Sequence, residues 1–198
     1  MRLDKIQLLH TIYKYFPKGL MFADIEYDNS SQTRLKLKMI NSKKRENYVL
    51  FAKLVNRLRG EVSEGIINQS PLFDKEFCNY LMFDIKVGKF FFRFHILLSF
   101  LEPFHSIVIT CYNQDFNKLI FTGDFEEIKT KNYFSDREEE IVLSKVKIIE
   151  EEITNIFQTT DVKMSELLDI IPDIETGGKE LGEVTFFDCL FTNFLQLY

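Results

Sequence analysis

The amino-acid sequence predicts an α+β fold, in which an antiparallel meander of about four strands carries helices packed on one face. The stretch from 80 to 122 consists of runs rich in apolar, aromatic and β-branched residues between short turn segments, which is typical of strands, and the first two runs can pair with one face wholly apolar. The flanking stretches repeat apolar residues every three or four positions, as helices do. Because the strands follow one another directly, we expect an antiparallel sheet in a single domain, 1–198.

Three helices are predicted before the sheet. Apolar residues at helical spacing favour a first helix over 3–16, which Pro17 ends. The polar segment 28–31 offers N-caps for a second helix that runs through Ile40, and Ser42 can cap a third. The residues of the third helix that are expected to face the core are Tyr48, Phe51, Ala52, Val55 and Leu58.

The clearest pattern is a hairpin with a two-residue turn at Gly88 and Lys89. Gly88 can supply the positive φ of a type II′ turn. In this register one face pairs only apolar residues, and the other places Asp84 opposite Arg93. The apolar pairs are Val87 with Phe90, Ile85 with Phe92, Phe83 with Phe94, and Leu81 with Ile96. We therefore expect an antiparallel hairpin with one buried face.

The remaining elements follow from composition and capping signals. The β-branched and aromatic run 104–112 predicts a third strand, and 118–122 predicts a fourth. Ser135 and Glu138 form a capping-box sequence that begins a long helix. Its inward residues are expected to be Val142, Val146, Ile149, Ile153 and Ile156. A short helix is predicted over 164–171, and the apolar ending 184–198 must dock on the rest of the chain.

Composition excludes several classes of protein. A hydrophobic content of 45% with 28% charged residues is typical of a globular protein, and 21 Phe residues predict an aromatic core. The three cysteines lie too far apart in sequence for a disulfide framework or a CxxC motif, so we expect reduced thiols in a cytoplasmic protein. The chain has no apolar run long enough for a membrane span and no apolar signal-peptide core near its first residues, so no membrane partner is expected.

The sequence offers few candidates for catalysis. No phosphate-binding glycine loop, HExxH, GxSxG or EF-hand motif is present, and we expect no catalytic residue, metal or cofactor. His95, His105 and Cys111 fall on neighbouring predicted strands, but no third group orients them and their spacing fits no zinc pattern. A structural role is favoured for all three side chains.

Two alternatives to a binding protein stay open. The first is a metal-dependent nuclease or hydrolase, in which two acids and a lysine hold Mg²⁺ and orient the attacking water. Its candidate residues are Asp74, Asp84 and Lys86. The Phe-rich ending is compatible with a scaffold or a homo-oligomer. The basic segment 34–59 holds nine Lys/Arg against one acid, but the net charge of −5 and the absence of a recognition motif disfavour a nucleic-acid partner.

Charge is distributed unevenly along the chain. The stretch 124–188 contains eighteen Asp/Glu against seven Lys/Arg, and such a surface attracts basic macromolecules. Solvated helix faces are the simpler explanation of the same residues. The residues predicted to contact a partner are Glu138, Glu139, Glu140, Glu150, Glu151 and Glu152.

Short segments near both ends and in the middle of the chain form a further pattern. They are His10-x-x-Tyr13 with 15–19 (YFPKG), Tyr27 and Ser31, 97–101 (LLSFL) with Phe104-His105, and 171–174 (IPDI) with Gly182, 185–188 (TFFD) and 190–192 (LFT). Together they resemble the immunity proteins found beside polymorphic toxin genes in Bacteroidetes-type bacteria. The resemblance implies an intracellular protein that binds and neutralises a cognate toxin, without catalytic residues, and it gives 172–173 and 185–188 roles in packing and capping.

Overall fold

The computed structural model describes residues 5–62, 67–68, 77–113, 118–130 and 133–191. The helices are α1 Lys5–Tyr15, α2 Ile25–Asn29, α3 Ser31–Glu61, α4 Phe125–Thr130, α5 Asp136–Phe157, α6 Met164–Leu167 and α7 Phe186–Leu190. The strands are β1 Ile67–Asn68, β2 Cys78–Val87, β3 Phe90–Ser99, β4 Phe104–Asn113, β5 Leu119–Gly123 and β6 Thr160–Asp161. The predicted α+β class is confirmed.

The sheet is a meander in the order β1-β2-β3-β4-β5, and all neighbours in this order are antiparallel. The short strand β6 pairs in parallel with the first residues of β4, so it extends the sheet beyond the end of β5. Neither β1 nor β6 was predicted, because two residues are too few to show a period.

The predicted hairpin register is confirmed. Val87 lies opposite Phe90, and the pairing continues without a shift to Cys78 and Ser99. Gly88 has a φ of 59°, a positive angle that glycine adopts without steric cost. Alternation places the apolar pairs on one face, where the buried residues include Phe83, Phe92, Phe94 and Ile96.

The second and third predicted helices are wrong as separate elements, because α3 runs without a break from Ser31 to Glu61. Ser30 caps its first turn by accepting a hydrogen bond from the Thr33 N–H at 3.0 Å. Ser42, which was predicted to cap a new helix, lies within α3 and donates to the Glu46 carboxylate. No proline interrupts the segment, so the chain has no local reason to leave the helix there.

Continuity of α3 also changes which of its residues face the core. Tyr48 was expected to be buried but is 78% exposed, whereas Leu54 is fully buried. The buried side chains recur at Ile40, Asn47, Phe51, Leu54 and Leu58, which form one stripe on a single helix.

The long helix α5 agrees with the prediction. Ser135 and Glu138 form the capping box, with both reciprocal bonds present. Its buried residues are Val142, Val146, Ile149 and Ile153. The short helix α6 ends at Leu167, earlier than the predicted 171.

Helices lie against both faces of the sheet. The predicted layer on one face consists of α5 and the second half of α3, which pack against residues such as Phe92 and Ile109. Residues of α1, α6 and α7 additionally cover one end of the other face, around Leu97 and Val108. Val184 to Phe191, the described part of the apolar ending, is buried in this second cluster, and 192–198 lie outside the described residues.

Within the described ranges, no helix has the length and apolar content needed to cross a membrane. The three cysteines are buried and free.

Candidate functional site

The candidate site lies along β5. In the described part of the chain, β5 pairs with β4 on one side and no strand pairs with it on the other. A strand in this position presents backbone N–H and C=O groups that another strand can bind. The register between β4 and β5 shifts near Tyr112, so a β-bulge lies at the Leu119 end of the pairing.

A cavity of about 300 Å³ opens beside this edge. Its floor contains the buried side chains of Phe121 and Met164, and its rim contains Leu119 and Leu168, which are 50% and 41% exposed. Ile120, Thr122 and Glu127 complete the lining. We call this cavity the β5 groove. An apolar recess with a few polar groups at its rim is typical of a binding site.

The first turn of α4 places carboxylates at one end of the β5 groove. The Asp124 N–H donates to Glu127 Oε2 at 3.2 Å, and the Glu127 N–H donates to Asp124 Oδ1 at 3.1 Å. These reciprocal bonds resemble a capping box, so they hold both acids in one orientation. Glu126, between them, is exposed.

A second group of charges joins these acids from β6 and α5. Lys163 Nζ lies 2.5 Å from Asp161 Oδ2 and 3.6 Å from Glu150 Oε1. Burial raises the pKa of Glu150; Lys163 opposes this effect, and the carboxylates of Asp161 and Glu126 add to it. We call the set Asp124, Glu126, Glu127, Glu150 and Asp161 the acidic edge.

His105 lies beneath the acidic edge and is 2% exposed. Its Nδ1 lies 3.0 Å from Thr159 Oγ1, whereas its Nε2 has no hydrogen-bond partner among the described residues and lies 3.8 Å from Asp161 Oδ1. Burial lowers the pKa of His105 to about 4, although Asp161 acts in the opposite direction. His105 is therefore neutral at pH 7 and leaves the charge of Asp161 unchanged.

The six glutamates predicted to contact a partner lie on different sides of α5. Glu138 closes the capping box with Ser135, and both Glu152 oxygens accept from Arg57 Nη1 at 3.0–3.1 Å. Glu150 belongs to the acidic edge. Three of the six carboxylates therefore already have partners within the protein.

The other three are less engaged. Glu140 and Glu151 are exposed, and eleven positions of helix place them on the same outer side of α5. Glu139 is half-buried and lies nearer the side that carries Glu150. Lys147 is also exposed on the outer side, so that surface is mixed in charge rather than uniformly acidic.

The basic segment 34–59 lies entirely on α3, and part of its charge is used internally. Lys43 pairs with Glu46 at 2.7 Å, and Arg57 pairs with Glu152. Lys36 is 6% exposed, and its Nζ lies 4.1 Å from the centre of the Phe16 ring. These contacts reduce the cationic surface that α3 offers to a nucleic acid.

The histidines and Cys111 do not meet in space. His95 and Cys111 lie on opposite faces, because His95 pairs with Val108 whereas Cys111 pairs with Phe92. His105 shares the face of Cys111 but is six residues away on the same strand, about 20 Å. Burial raises the pKa of the Cys111 thiol to about 12, so Cys111 is not a thiolate at neutral pH.

The residues of the nuclease alternative are only partly described. Asp84 is engaged by Arg93, whose Nε and Nη2 donate to its two oxygens at 2.8 and 2.9 Å. Asp74 lies outside the described residues. Over the ranges that are described, no three side chains of His, Cys, Asp or Glu are grouped so that they could hold a metal ion.

Comparison with known proteins adds no relative. No protein-family model, curated protein or solved structure matches the chain.

The acidic edge was missed from the sequence, apart from Glu150. The acids of 124–127 directly after a predicted strand were a usable signal, since strand ends are frequent positions for binding residues. Asp161 could not have been added, because it reaches the site through β6, and β6 has no sequence signature.

Proposed function

We propose that this protein is a non-catalytic binding protein of the cytoplasm that neutralises a cognate bacterial toxin, as an immunity protein does, by occupying a basic surface of that toxin. The observation that carries the proposal is the acidic edge beside the β5 groove. An apolar recess supplies contact area, and adjacent carboxylates select a partner of opposite charge.

The position of the acids strengthens this electrostatic argument. Asp124 is 5% exposed, so water screens it less than it screens the glutamates on the outer side of α5, whereas the charge of Asp161 is paired with Lys163. Fixed carboxylates at partly buried positions accelerate encounter with a cationic surface and also penalise an acidic one.

The internal pairing of other polar groups supports binding over hydrolysis. Asp84 is held by Arg93, and both ring nitrogens of His95 lie within hydrogen-bond distance of Tyr80 and Thr110. A general base needs an accessible side chain within reach of its substrate, and these contacts compete with that role.

The test uses toxin domains encoded beside the gene for this protein. Each is co-expressed with the protein, growth rescue identifies the partner, and the affinity of the purified pair is measured at 50 mM and 500 mM salt. We expect Glu126→Lys to weaken binding by about tenfold or more at low salt and by less at high salt. The matched variant Glu151→Lys makes the same charge change on the outer side of α5.

Each outcome of this test has a distinct meaning. A loss confined to Glu126→Lys supports the acidic edge as the contact surface. A loss confined to Glu151→Lys supports the glutamates predicted from the sequence. If neither variant alters affinity, or if no adjacent toxin is neutralised, the electrostatic proposal is wrong.

A further inference from the structure

We propose that an extended segment of the partner adds to the sheet as a new strand beside β5, with apolar side chains in the β5 groove and Lys or Arg side chains against the acidic edge. This inference rests on the proposed function and specifies how the partner is bound. Strand addition is a general mode of recognition in which backbone hydrogen bonds supply affinity and side-chain recesses supply specificity.

The backbone of β5 has the geometry for this role. The Asn113 N–H donates to the Lys118 carbonyl at 3.1 Å, so Lys118 is bonded to the β4 side. In an antiparallel ladder the next residue, Leu119, directs its N–H and C=O away from that neighbour. Leu119 therefore offers backbone groups to an added strand on the outer side.

The composition of β5 is compatible with the same conclusion. The sequence of β5, Leu-Ile-Phe-Thr-Gly, contains no Lys, Pro or inward-pointing charge, which natural sheets use to protect exposed edges. The β-bulge and the five-residue length of β5 are two other protective features that this edge has. The edge is therefore protected by its shape and not by charge.

The β5 groove fits the side chains of an extended segment. Side chains on one face of a strand recur every second residue, about 7 Å apart. The groove runs past four consecutive residues of β5, 119–122, and Met164 and Leu168 also line it. Aliphatic side chains of alternate residues in the added strand would lie in this groove.

Charge selects a basic partner over a second copy of this protein. Each copy of this protein carries a net charge of −5, and like net charges oppose the association of two copies. A segment with Lys or Arg between its apolar residues would instead place ammonium or guanidinium groups against the acidic edge at Glu126, whose side chain is exposed. The occupant is therefore a basic, apolar-alternating segment of a different protein.

The test needs no toxin. Random twelve-residue peptides displayed on phage are selected on the full-length protein at 50 mM salt, and the enriched peptides are synthesised for affinity measurement. Binding is compared for wild type, Leu119→Pro and Leu119→Thr, because Pro removes the outward N–H whereas Thr keeps it and also shortens the side chain. Glu126→Gln and Glu151→Gln are compared in the same way as matched charge variants.

We expect enriched peptides to alternate apolar residues with Lys or Arg. Leu119→Pro should weaken them by about tenfold or more, Leu119→Thr by about threefold or less, and Glu126→Gln more than Glu151→Gln. In wild type, the bound peptide should slow hydrogen exchange of the Leu119 amide. If Leu119→Pro does not fold by circular dichroism, this exchange measurement decides the question.

The proposal is overturned if no peptide is enriched, if Leu119→Pro binds as tightly as Leu119→Thr, or if exchange at Leu119 is unchanged by bound peptide. The two proposals fail separately. If a toxin is neutralised but no strand adds to β5, the proposed function is kept and the contact lies on another surface. If peptides add to β5 but no toxin is neutralised, strand addition is kept and the proposed toxin partner is wrong.

Discussion

The Tyr80 hydroxyl lies 2.6 Å from Nδ1 of His95 in the buried part of the sheet, and the two rings are stacked with centroids 5.9 Å apart. On the other side of the imidazole, Nε2 lies 3.1 Å from Thr110 Oγ1. Burial, with a smaller contribution from the Arg93 guanidinium, lowers the pKa of His95 to about 4. The folded protein thus holds a neutral histidine, and this state makes stability dependent on pH.

Stability is expected to fall as the pH drops from about 6.5 towards 4. Over this range the unfolded chain protonates His95 and the folded chain does not, so protons favour unfolding. The loss from His95 alone should be about 2 kcal/mol at pH 5 relative to pH 7.5. Urea unfolding at both pH values measures it.

The matched variants for this prediction are His95→Gln and His10→Gln. His95→Gln removes its share of the proton uptake and should reduce the dependence on pH by about half, because His105, whose pKa is also lowered to about 4, titrates over the same range. His10 is exposed on α1, so His10→Gln should leave the dependence as in wild type. An equal dependence in all three proteins would contradict the assignment to His95.

The contribution of Lys36 to the free energy of unfolding is expected to increase as the pH rises from about 8 to about 10. Burial lowers the pKa of Lys36 to about 8, and its Nζ lies among the rings of Phe16, Tyr27 and Phe77. Between pH 8 and about 10.4 the unfolded chain binds a proton that the folded chain does not, so stability from this group rises with pH. Lys36→Met, which cannot titrate, should therefore gain on wild type at pH 7 and lose that advantage by pH 10. Thermal unfolding of both proteins from pH 7 to 10 measures the difference; a constant difference would exclude the titration of Lys36.

Gly88→Ala is expected to destabilise the protein by about 1–2 kcal/mol. Gly88 has a φ of 59°, and a Cβ there would collide with the Glu138 carboxylate that caps α5. Gly60→Ala is the control, because Gly60 lies inside α3 with open space around it. Alanine at that position should stabilise by about 0.5–1 kcal/mol, since it favours the helix. Chemical denaturation of both variants tests the contrast, and equal effects would contradict it.

Asp188→Ala is expected to cost about 3 kcal/mol or more. Asp188 is 2% exposed, and its Oδ2 accepts from the Thr185 N–H, the Thr185 hydroxyl and Lys179 Nζ at 2.7–2.8 Å. Removing the carboxylate leaves these donors without their acceptor. The exposed pair of Lys5 with Asp169 provides the comparison, and Asp169→Ala should cost less than about 1 kcal/mol. A similar loss in both variants, measured by urea unfolding, would show that burial of Asp188 does not decide its contribution.

Local signals were sufficient where short-range geometry decides the structure. The register around Gly88 was predictable because a two-residue turn allows one pairing that keeps all apolar residues on one face. The start of α5 was predictable because Ser135 and Glu138 are three residues apart and bond to each other. The resemblance to immunity proteins implied a capping role for 185–188, and Thr185 and Asp188 form a capping box at the start of α7.

Where long-range contacts decide, the sequence was not sufficient. The sequence by itself determined the α+β class, the hairpin and the capped helix, because turn geometry, strand alternation and capping act over a few residues. Only the tertiary structure decided that α3 is one helix with Tyr48 outside, because that outcome depends on which stripe meets the sheet. It also decided that Asp124 and Asp161 lie at one edge, since β6 brings together residues that are thirty-seven positions apart in the chain.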